Sequence, residues 1–588
     1  MIEARAVFPE PGFFRPPSGA AVHHPPAAAA AAARVAGLVG LPTRVVDGGS
    51  GWWVVAGATP APVLTPPDRP DGFALAVTPD RIELTGRGAA ALGYAAASLA
   101  DGGLACRRLV DFADLAVRGV HLDLKGPALA PSYLDGLLAR LGALRVNTLL
   151  VEYEDRFPYP AELDLAAPDT VDVPALLATA ARHGMTVVPL VQCLGHLEYA
   201  LRRPRWRNLA EDDRHQQLCP MLPGSLEFFA GTLDAVLAAH PEADLVHIGG
   251  DEPWSLGACQ RCAGQRRPDL YAQHVAAAAR VVIEAGRRPV VWDDVLYAER
   301  DPALVDALPA ETVLMPWEYA ATGRTGWARW GNPQTVVATS DLVASAPPGA
   351  PLVPVASLPP EERRLIETVK SGDHPLPWAR ALAARGRTVI GAAAARGADG
   401  PNAAHPHWSR RLANVGMWAA QARSLGIEGV VSTAWAAYDT VSPPCEPLPT
   451  AEPVLAASAA RYWNVDAAVA LPEWCRVVEN GTVHELRAVC DSAADPLVRA
   501  CARHRLLTIA TDEVAQTAAW HRGNGADDPA ASAARAMAEG SADRLISEWR
   551  AWQEEYAEAL RDVYAGEGGA VVAAAKAAEP VRRLGGGQ

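Results

Sequence analysis

Lysine is nearly missing from this chain: Lys125, Lys370 and Lys576 are the only three among 53 basic residues in 588. Beside heavy alanine, glycine and proline use, that scarcity reads as the coding bias of a GC-rich genome and excludes no function. The other shortages exclude more. No stretch approaches the roughly twenty apolar residues that span a bilayer, and the alanine run Ala27–Ala33 is too short. Met1–Pro17 carries acidic residues where a secretory leader is basic, and no apolar core follows, so no export signal is expected. Positive charge is in deficit, 53 basic against 67 acidic residues for a net −14 spread along the chain. That balance argues against nucleic acid or an anionic membrane surface as the main partner. Nine cysteines, an odd number in a long chain, suit a reducing compartment, and the cytoplasm is the expected location.

What is present is globular. Half of the residues are apolar and 20% are charged, and the length allows up to about four domains. Residues 1–112 read as an N-terminal α+β accessory domain. Phe73, Leu75 and Val77 alternate, Thr78-Pro79-Asp80-Arg81 turns the chain, and Ile82 and Leu84 alternate again, which predicts a hairpin. An alanine-rich helix follows over about 88–99. The pair His23-His24 is expected in an exposed loop. Residues 113–449 alternate short apolar strands with helices. The eight strands fall at 117–124, 146–152, 186–191, 244–249, 289–293, 312–317, 388–393 and 428–435. Eight buried βα repeats without a Gly-rich phosphate loop predict a closed (β/α)8 barrel, not a doubly wound sheet. The stretch 331–375 reads as a late insertion. Residues 450–588 are expected to be helical, with Leu545, Trp549, Trp552, Tyr556, Leu560 and Val563 forming one apolar docking stripe.

Barrel chemistry gathers at the C-terminal strand ends. Those ends carry Asp123 and Lys125; Glu152, Glu154 and Asp155; Gln192 and His196; His247, Asp251, Glu252 and Trp254. The later strands add Trp292, Asp293 and Asp294, then Trp317, Glu318 and Tyr319, then Trp435, Tyr438 and Asp439. Carboxylates among Trp and Tyr suit a sugar site, because aromatic faces stack on pyranose C–H surfaces and carboxylates bind hydroxyls or move protons. In His247-Ile248-Gly249-Gly250-Asp251-Glu252, two glycines let the chain turn tightly off the strand. Two adjacent carboxylates then point differently and can address two atoms of one substrate. Close carboxylates also split their pKa values. The same pair could instead cap the next helix.

HIGGDE resembles the H-x-G-G-D-E signature of glycoside hydrolase family 20, the β-N-acetylhexosaminidases. VRGVHLDLKG (117–126), VEYEDRFPYP (151–160), PLVQCLGHLEYAL (189–201), VWDD (291–294) and STAWAAYDTVSPPCEPLP (432–449) look like its hexosaminidase D branch. Residues 71–99 are similar to the small domain that precedes the family's barrel. The resemblance implies an exo-acting enzyme that removes terminal β-linked GalNAc or GlcNAc with retention, the substrate's own acetamido oxygen attacking to form an oxazolinium ion. It implies that Asp251 orients the acetamido N–H and that Glu252 is the general acid and then base. It further implies substrate contacts from Arg118, Asp123, Glu154, Asp155, His196, Trp292, Asp293, Trp317, Tyr319, Trp435, Tyr438 and Asp439. Arg118 could equally serve a buried ion pair, His196 a plain wall, and the three tryptophans core packing.

Two positions depart from the family pattern. Strand 7 ends Ala392-Ala393-Ala394-Ala395-Arg396 without the usual Tyr, and Trp435-Ala436-Ala437 lacks the usual Glu. Tyr319 or Tyr438 could replace the first and Asp439 the second, so the sugar preferred is open. So is a glycosidase of altered specificity, or a silent carbohydrate-binding protein. No cofactor and no metal are expected, since the lone C-x-x-C of Cys259 and Cys262, with Cys219 upstream, lacks the second ligand pair of a zinc site. The sequence leaves a homo-oligomer open.

Overall fold

The computed structural model describes residues 6–47, 51–299, 302–320, 327–330, 335–338, 352–360, 376–399, 403–523 and 529–585. By contacts the chain divides into two compact units. The first comprises Met1–Arg118 with Leu141–Asn147 and Ala459–Val469; the second holds the rest.

The first unit is built on a seven-stranded sheet. Its strands are β1 (Ala6–Phe13), β2 (Ala21–His24), β3 (Thr43–Val45), β4 (Trp52–Gly57), β5 (Phe73–Val77), β6 (Ile82–Gly86) and β7 (Ala105–Asp111), in the order β1-β7-β5-β6-β4-β2-β3. The predicted hairpin is β5–β6, with Val77 opposite Ile82 and the Thr78 N–H donating to Arg81 O at 2.8 Å. Helix Ala89–Gly102 lays Leu92 and Leu99 on Leu75, Leu84 and Trp463 in one core. His23 and His24 are not in a loop. They lie on β2 and are buried, because β2 is an inner strand paired on both sides by β3 and β4.

The second unit contains the barrel. Its strands are β8 (Val117–Asp123), β9 (Thr148–Glu152), β10 (Thr186–Leu190), β11 (Leu245–His247), β12 (Arg288–Trp292), β13 (Val313–Met315), β17 (Ile390–Arg396) and β18 (Gly429–Ala434). All eight expected strands are present. Neighbours pair in parallel in the order β13-β12-β11-β10-β9-β8-β18-β17, and bridges Leu314–Val389 and Trp317–Ala392 join the two ends. Nearly every strand residue is buried, as a parallel sheet covered on both faces requires. The expected insertion 331–375 lies mostly outside the described residues. Its described parts, with the strand before them, make a small sheet of β14 (Trp327–Trp330), β15 (Thr335–Ala338) and β16 (Leu352–Pro354).

Helices follow the barrel, among them Pro496–Gly523, Pro529–Ala559 and Gly568–Arg583. The apolar stripe is buried along its length, from Leu545 to Val563. Trp552 Nε1 donates to Ala500 O at 2.8 Å and Trp549 Nε1 to Thr511 Oγ1 at 3.0 Å. Tyr556 OH donates to Ala404 O at 2.7 Å, so the stripe packs on both a neighbouring helix and the barrel's own chain. No helix among the described residues is long and apolar enough to cross a membrane.

Candidate active site

The chain leaves β11 at His247 and turns through Gly249 and Gly250 at φ +63° and +91°. A side chain at Gly249 would collide with the Gln192 carboxamide, so glycine is needed for space as well as for φ. Asp251 and Glu252 emerge from that turn. Glu252 itself is left-handed at φ +45°, as are Glu154 (+45°) and His196 (+51°). Non-glycine residues in this region cost about 1–3 kcal/mol each and persist only where the surroundings enforce them. For Glu252 part of that enforcement is Asp294, whose Oδ2 accepts the Glu252 N–H at 3.0 Å.

His196 joins the two carboxylates. Its Nε2 lies 3.4 Å from Asp251 Oδ2 and 3.6 Å from Glu252 Oε2. Burial by itself lowers the His196 pKa, but the Asp251 charge and the hydrogen bond to Glu252 outweigh it and push it up to about 10. The imidazole is therefore a cation at neutral pH. Asp251 is almost enclosed, and burial raises its pKa against the pull of His196. Glu252 keeps 21% of its side chain exposed. Burial raises it too, yet hydrogen bonds from His196 and Tyr438 leave it below the usual carboxylate value. Asp251 Oδ1 is buried with no hydrogen-bond partner.

An aromatic group stands beside the pair. Tyr438 OH bonds Glu252 and accepts Trp254 Nε1 at 2.8 Å. Tyr319 OH accepts Trp435 Nε1 at 3.1 Å, and the Trp317 and Tyr319 rings stack at 5.0 Å. Trp435 and Trp317 stay partly exposed. Trp292 does not: it is fully buried, 4.4 Å from the His247 ring and 5.8 Å from Trp435, so it supports the wall from behind. Here the core alternative holds, because Trp292 is still inside its strand.

Beneath lies a buried charge cluster centred on Lys125. Its Nζ is 3.0 Å from Asp123 Oδ2, 3.7 Å from Glu152 Oε1 and 3.6 Å from Glu154 Oε1, and it sits 5.2 Å over the Trp435 ring. Burial opposes its charge, but the three carboxylates hold its pKa well above the usual lysine value. Asp123 is spent internally, accepting the Ala436 N–H at 2.7 Å as well as Lys125. Glu154 accepts Thr440 Oγ1 at 2.6 Å.

Arg118 is a correction. It is the second residue of β8 while the mouth begins at Asp123, five residues and about 17 Å away at strand rise. Its guanidinium is fully buried, bonded to Arg145 O at 2.9 Å, Leu115 O at 3.0 Å and Asp71 Oδ2 at 2.5 Å. The buried ion pair is the reading that stands. Asp293 is enclosed, accepts Trp378 Nε1 at 2.7 Å and is pushed up to about 7 by burial. Asp155 is half-buried, and burial raises its pKa. Asp439 lines a cleft of about 660 Å³ with Tyr438, Trp254, Glu198, Arg202 and Arg214 among its walls.

Three residues outside the expected contact set belong to this site. Lys125 organises the floor, and being one of three lysines, directly after strand 1, was the signal for it. Asp294 holds the Glu252 backbone; burial and the Asp251 charge push it up to about 8. Glu198 is buried on the cleft wall with both carboxyl oxygens lacking a hydrogen-bond partner. Nothing in its sequence surroundings marked it.

The sequence profile described as glycosyl hydrolase family 20, catalytic domain, matches residues 169–343, which include His196, Asp251, Glu252 and Asp294. The chain is similar to human hexosaminidase D, 31% identical over 360 residues, covering 58% of this chain and 64% of that protein. It is similar to the bovine hexosaminidase D as well, at 28% over 357 residues, covering 58% and 90%. Residues 169–343 match a family 20 catalytic domain.

The barrel also has solved counterparts. A β-N-acetylhexosaminidase from Bacteroides fragilis matches at TM-score 0.53 and 17% identity, covering 80% of this chain and 91% of that one. One from Streptomyces plicatus matches at 0.51 and 16%, covering 78% and 89%. At such identities they bear on fold alone. The chain spans just under two thirds of the human relative's length. β17 ends in the buried alanines Ala392–Ala395 and then Arg396, which is itself buried. Tyr319 and Tyr438 each carry a hydroxyl beside the aromatic wall.

Proposed function

We propose that the barrel is an exo-acting β-N-acetylhexosaminidase that removes terminal β-linked GalNAc or GlcNAc with retention, using the substrate's acetamido group as nucleophile. The observation that carries this reading is the adjacent Asp251–Glu252 pair bridged by His196. Two carboxylates on neighbouring residues are too close to face each other across a scissile bond as nucleophile and acid. Three nearby acids that might attack instead are committed: Asp123 and Glu154 to the Lys125 cluster, Asp294 to the Glu252 backbone.

In this reading Asp251 Oδ1, buried and unpartnered, accepts the acetamido N–H. That bond turns the carbonyl oxygen toward the anomeric carbon and stabilises the positive oxazolinium that forms. Glu252 gives its proton to the glycosidic oxygen as the C–O bond breaks, then takes one from the water that opens the ring. It must be protonated first, and a sugar covering the pair displaces water from a carboxyl whose burial already favours the neutral form. Trp435 and Trp317 stack on the ring, and Glu198 with Asp439 binds hydroxyls, in place of the glutamate missing after Trp435.

A plate of nitrophenyl glycosides tests the reading. β-GalNAc and β-GlcNAc should be hydrolysed and β-glucoside ignored, since glucose has no acetamido group. Glucoside cleavage at a matching rate sinks the substrate-assisted step. Sugar binding without any hydrolysis favours a silent carbohydrate-binding protein.

A further inference from the structure

The segment between β10 and helix Pro223–Ala239 meets the loop after β11 at a cluster that the glycosidase chemistry does not use. Cys219, Cys259, Cys262 and Glu211 each present one donor atom, and the four atoms lie within 4.8 Å of one another. Cys219 Sγ is 3.6 Å from Cys259 Sγ and 3.6 Å from Cys262 Sγ, and Cys262 Sγ is 3.4 Å from Glu211 Oε2. Glu211, Cys219 and Cys262 are buried. We propose that these four side chains bind one zinc ion, a structural site that ties the cleft wall of Asp213, Arg214 and His215 to the segment carrying Glu252.

The spacing fits an ion and not the alternatives. Zn–S bonds of about 2.3 Å at tetrahedral angles place two sulfurs roughly 3.8 Å apart, and a Zn–O bond of about 2.0 Å places oxygen and sulfur roughly 3.5 Å apart. A disulfide needs sulfurs about 2.05 Å apart, and three thiols cannot all pair. Without a cation, three thiols crowd a buried carboxylate whose burial they do little to offset. Thiolate ligands with one carboxylate suit zinc over magnesium or calcium.

The surroundings are shaped for the ligands. The Cys259 N–H donates to Glu211 Oε1 at 3.0 Å and so aims Oε2 inward. Arg261 Nε reaches Cys219 Sγ at 3.5 Å, offsetting part of the excess negative charge of three thiolates and a carboxylate on a divalent ion. Four protein ligands leave no open position, which marks a structural ion. The C-x-x-C alone does not disclose the site, because its third and fourth donors lie 40 and 48 residues upstream of Cys259.

The two tied segments border the cleft. Residues 211–219 form a closed loop, with Ala210 and Leu218 bridged and Ser255 bonded to both Gln217 and Asp212. That loop supplies Asp213, Arg214 and His215 to the cleft, and the other segment supplies Trp254. The ion thus holds the wall of the cleft that carries Trp254, Asp213 and Arg214.

The test uses the full chain, purified without chelators from cells grown with zinc, and does not depend on the glycosidase reading. Elemental analysis should find about one zinc per chain. Cobalt-grown protein should show the thiolate-to-metal charge transfer and strong visible bands of tetrahedral cobalt. Cys219→Ser should lose the metal. Glu211→Gln, which keeps all three thiolates, should hold cobalt but surrender it at lower chelator concentration with altered visible bands. Cys445→Ser, a buried thiol elsewhere, should keep the full metal content. Zinc near zero, with the thiols free or Cys259 and Cys262 disulfide-linked by mass, overturns the proposal. Undiminished metal binding in both ligand variants does the same.

Discussion

His196 Nε2 lies 3.4 Å from Asp251 Oδ2, and the imidazole that makes this contact stands at the corner of a left-handed backbone turn. One cation therefore serves the carboxylate expected to stabilise the oxazolinium and also the neighbouring one expected to move the proton.

Replacing that cation should move the whole pH profile. His196 lowers the pKa of both Asp251 and Glu252. In His196→Gln both rise, so the acidic limb (Asp251 must be ionised) and the alkaline limb (Glu252 must be protonated) shift up together by about one pH unit. The kcat/KM profile measures it, and a fall in rate with both limbs unmoved would reduce His196 to a wall residue.

Tyr438→Phe should act on one limb only. Its hydroxyl lowers the Glu252 pKa and is not among the main causes of the Asp251 shift. The alkaline limb should rise by roughly half a unit while the acidic limb stays, since a neutral hydrogen bond contributes about 1 kcal/mol.

Glu252→Gln and Asp251→Asn should fail differently. Loss of the general acid should cost about 10²–10⁴ in kcat on a poor leaving group and much less on a nitrophenolate that departs without a proton. Loss of the Asp251 charge removes oxazolinium stabilisation and should cost about 10²–10³ whatever the leaving group. Equal losses on both substrates for Glu252→Gln would refute its role as acid.

Lys125→Met should destabilise the fold by about 3–5 kcal/mol, because Asp123, Glu152 and Glu154 then share a buried site without a cation. Lys125 lowers the pKa of Glu152 and Glu154, and without it both rise in the folded variant, so the lost stability should partly return as pH falls and worsen as it rises. Urea midpoints at about pH 5.5 and pH 7.5 give the sign.

The barrel was legible because its signals are local. Each of the eight strands is a short, mainly apolar run, as burial on both faces requires, with a few buried polar residues such as His121, His247 and Thr433 among them. The Gly-Gly-Asp-Glu turn was equally plain, since only glycine tolerates φ +91° beside Val291 and Tyr271. The contact residues were harder. Trp292 is the last residue of β12 and Trp435 the first after β18, yet one is fully buried and the other partly open.

The sequence by itself determined the fold class, the order of the strands and the adjacent carboxylate pair, all properties of neighbouring residues and their backbone preferences. Tertiary structure alone decided the charges and the long-range partners. It put Lys125 among three carboxylates, took Arg118 into a buried pair with Asp71, and brought Glu211 and Cys219 to Cys259 and Cys262. These depend on distances between residues far apart in the chain, where pKa values and ligand sets arise and where no local pattern reaches.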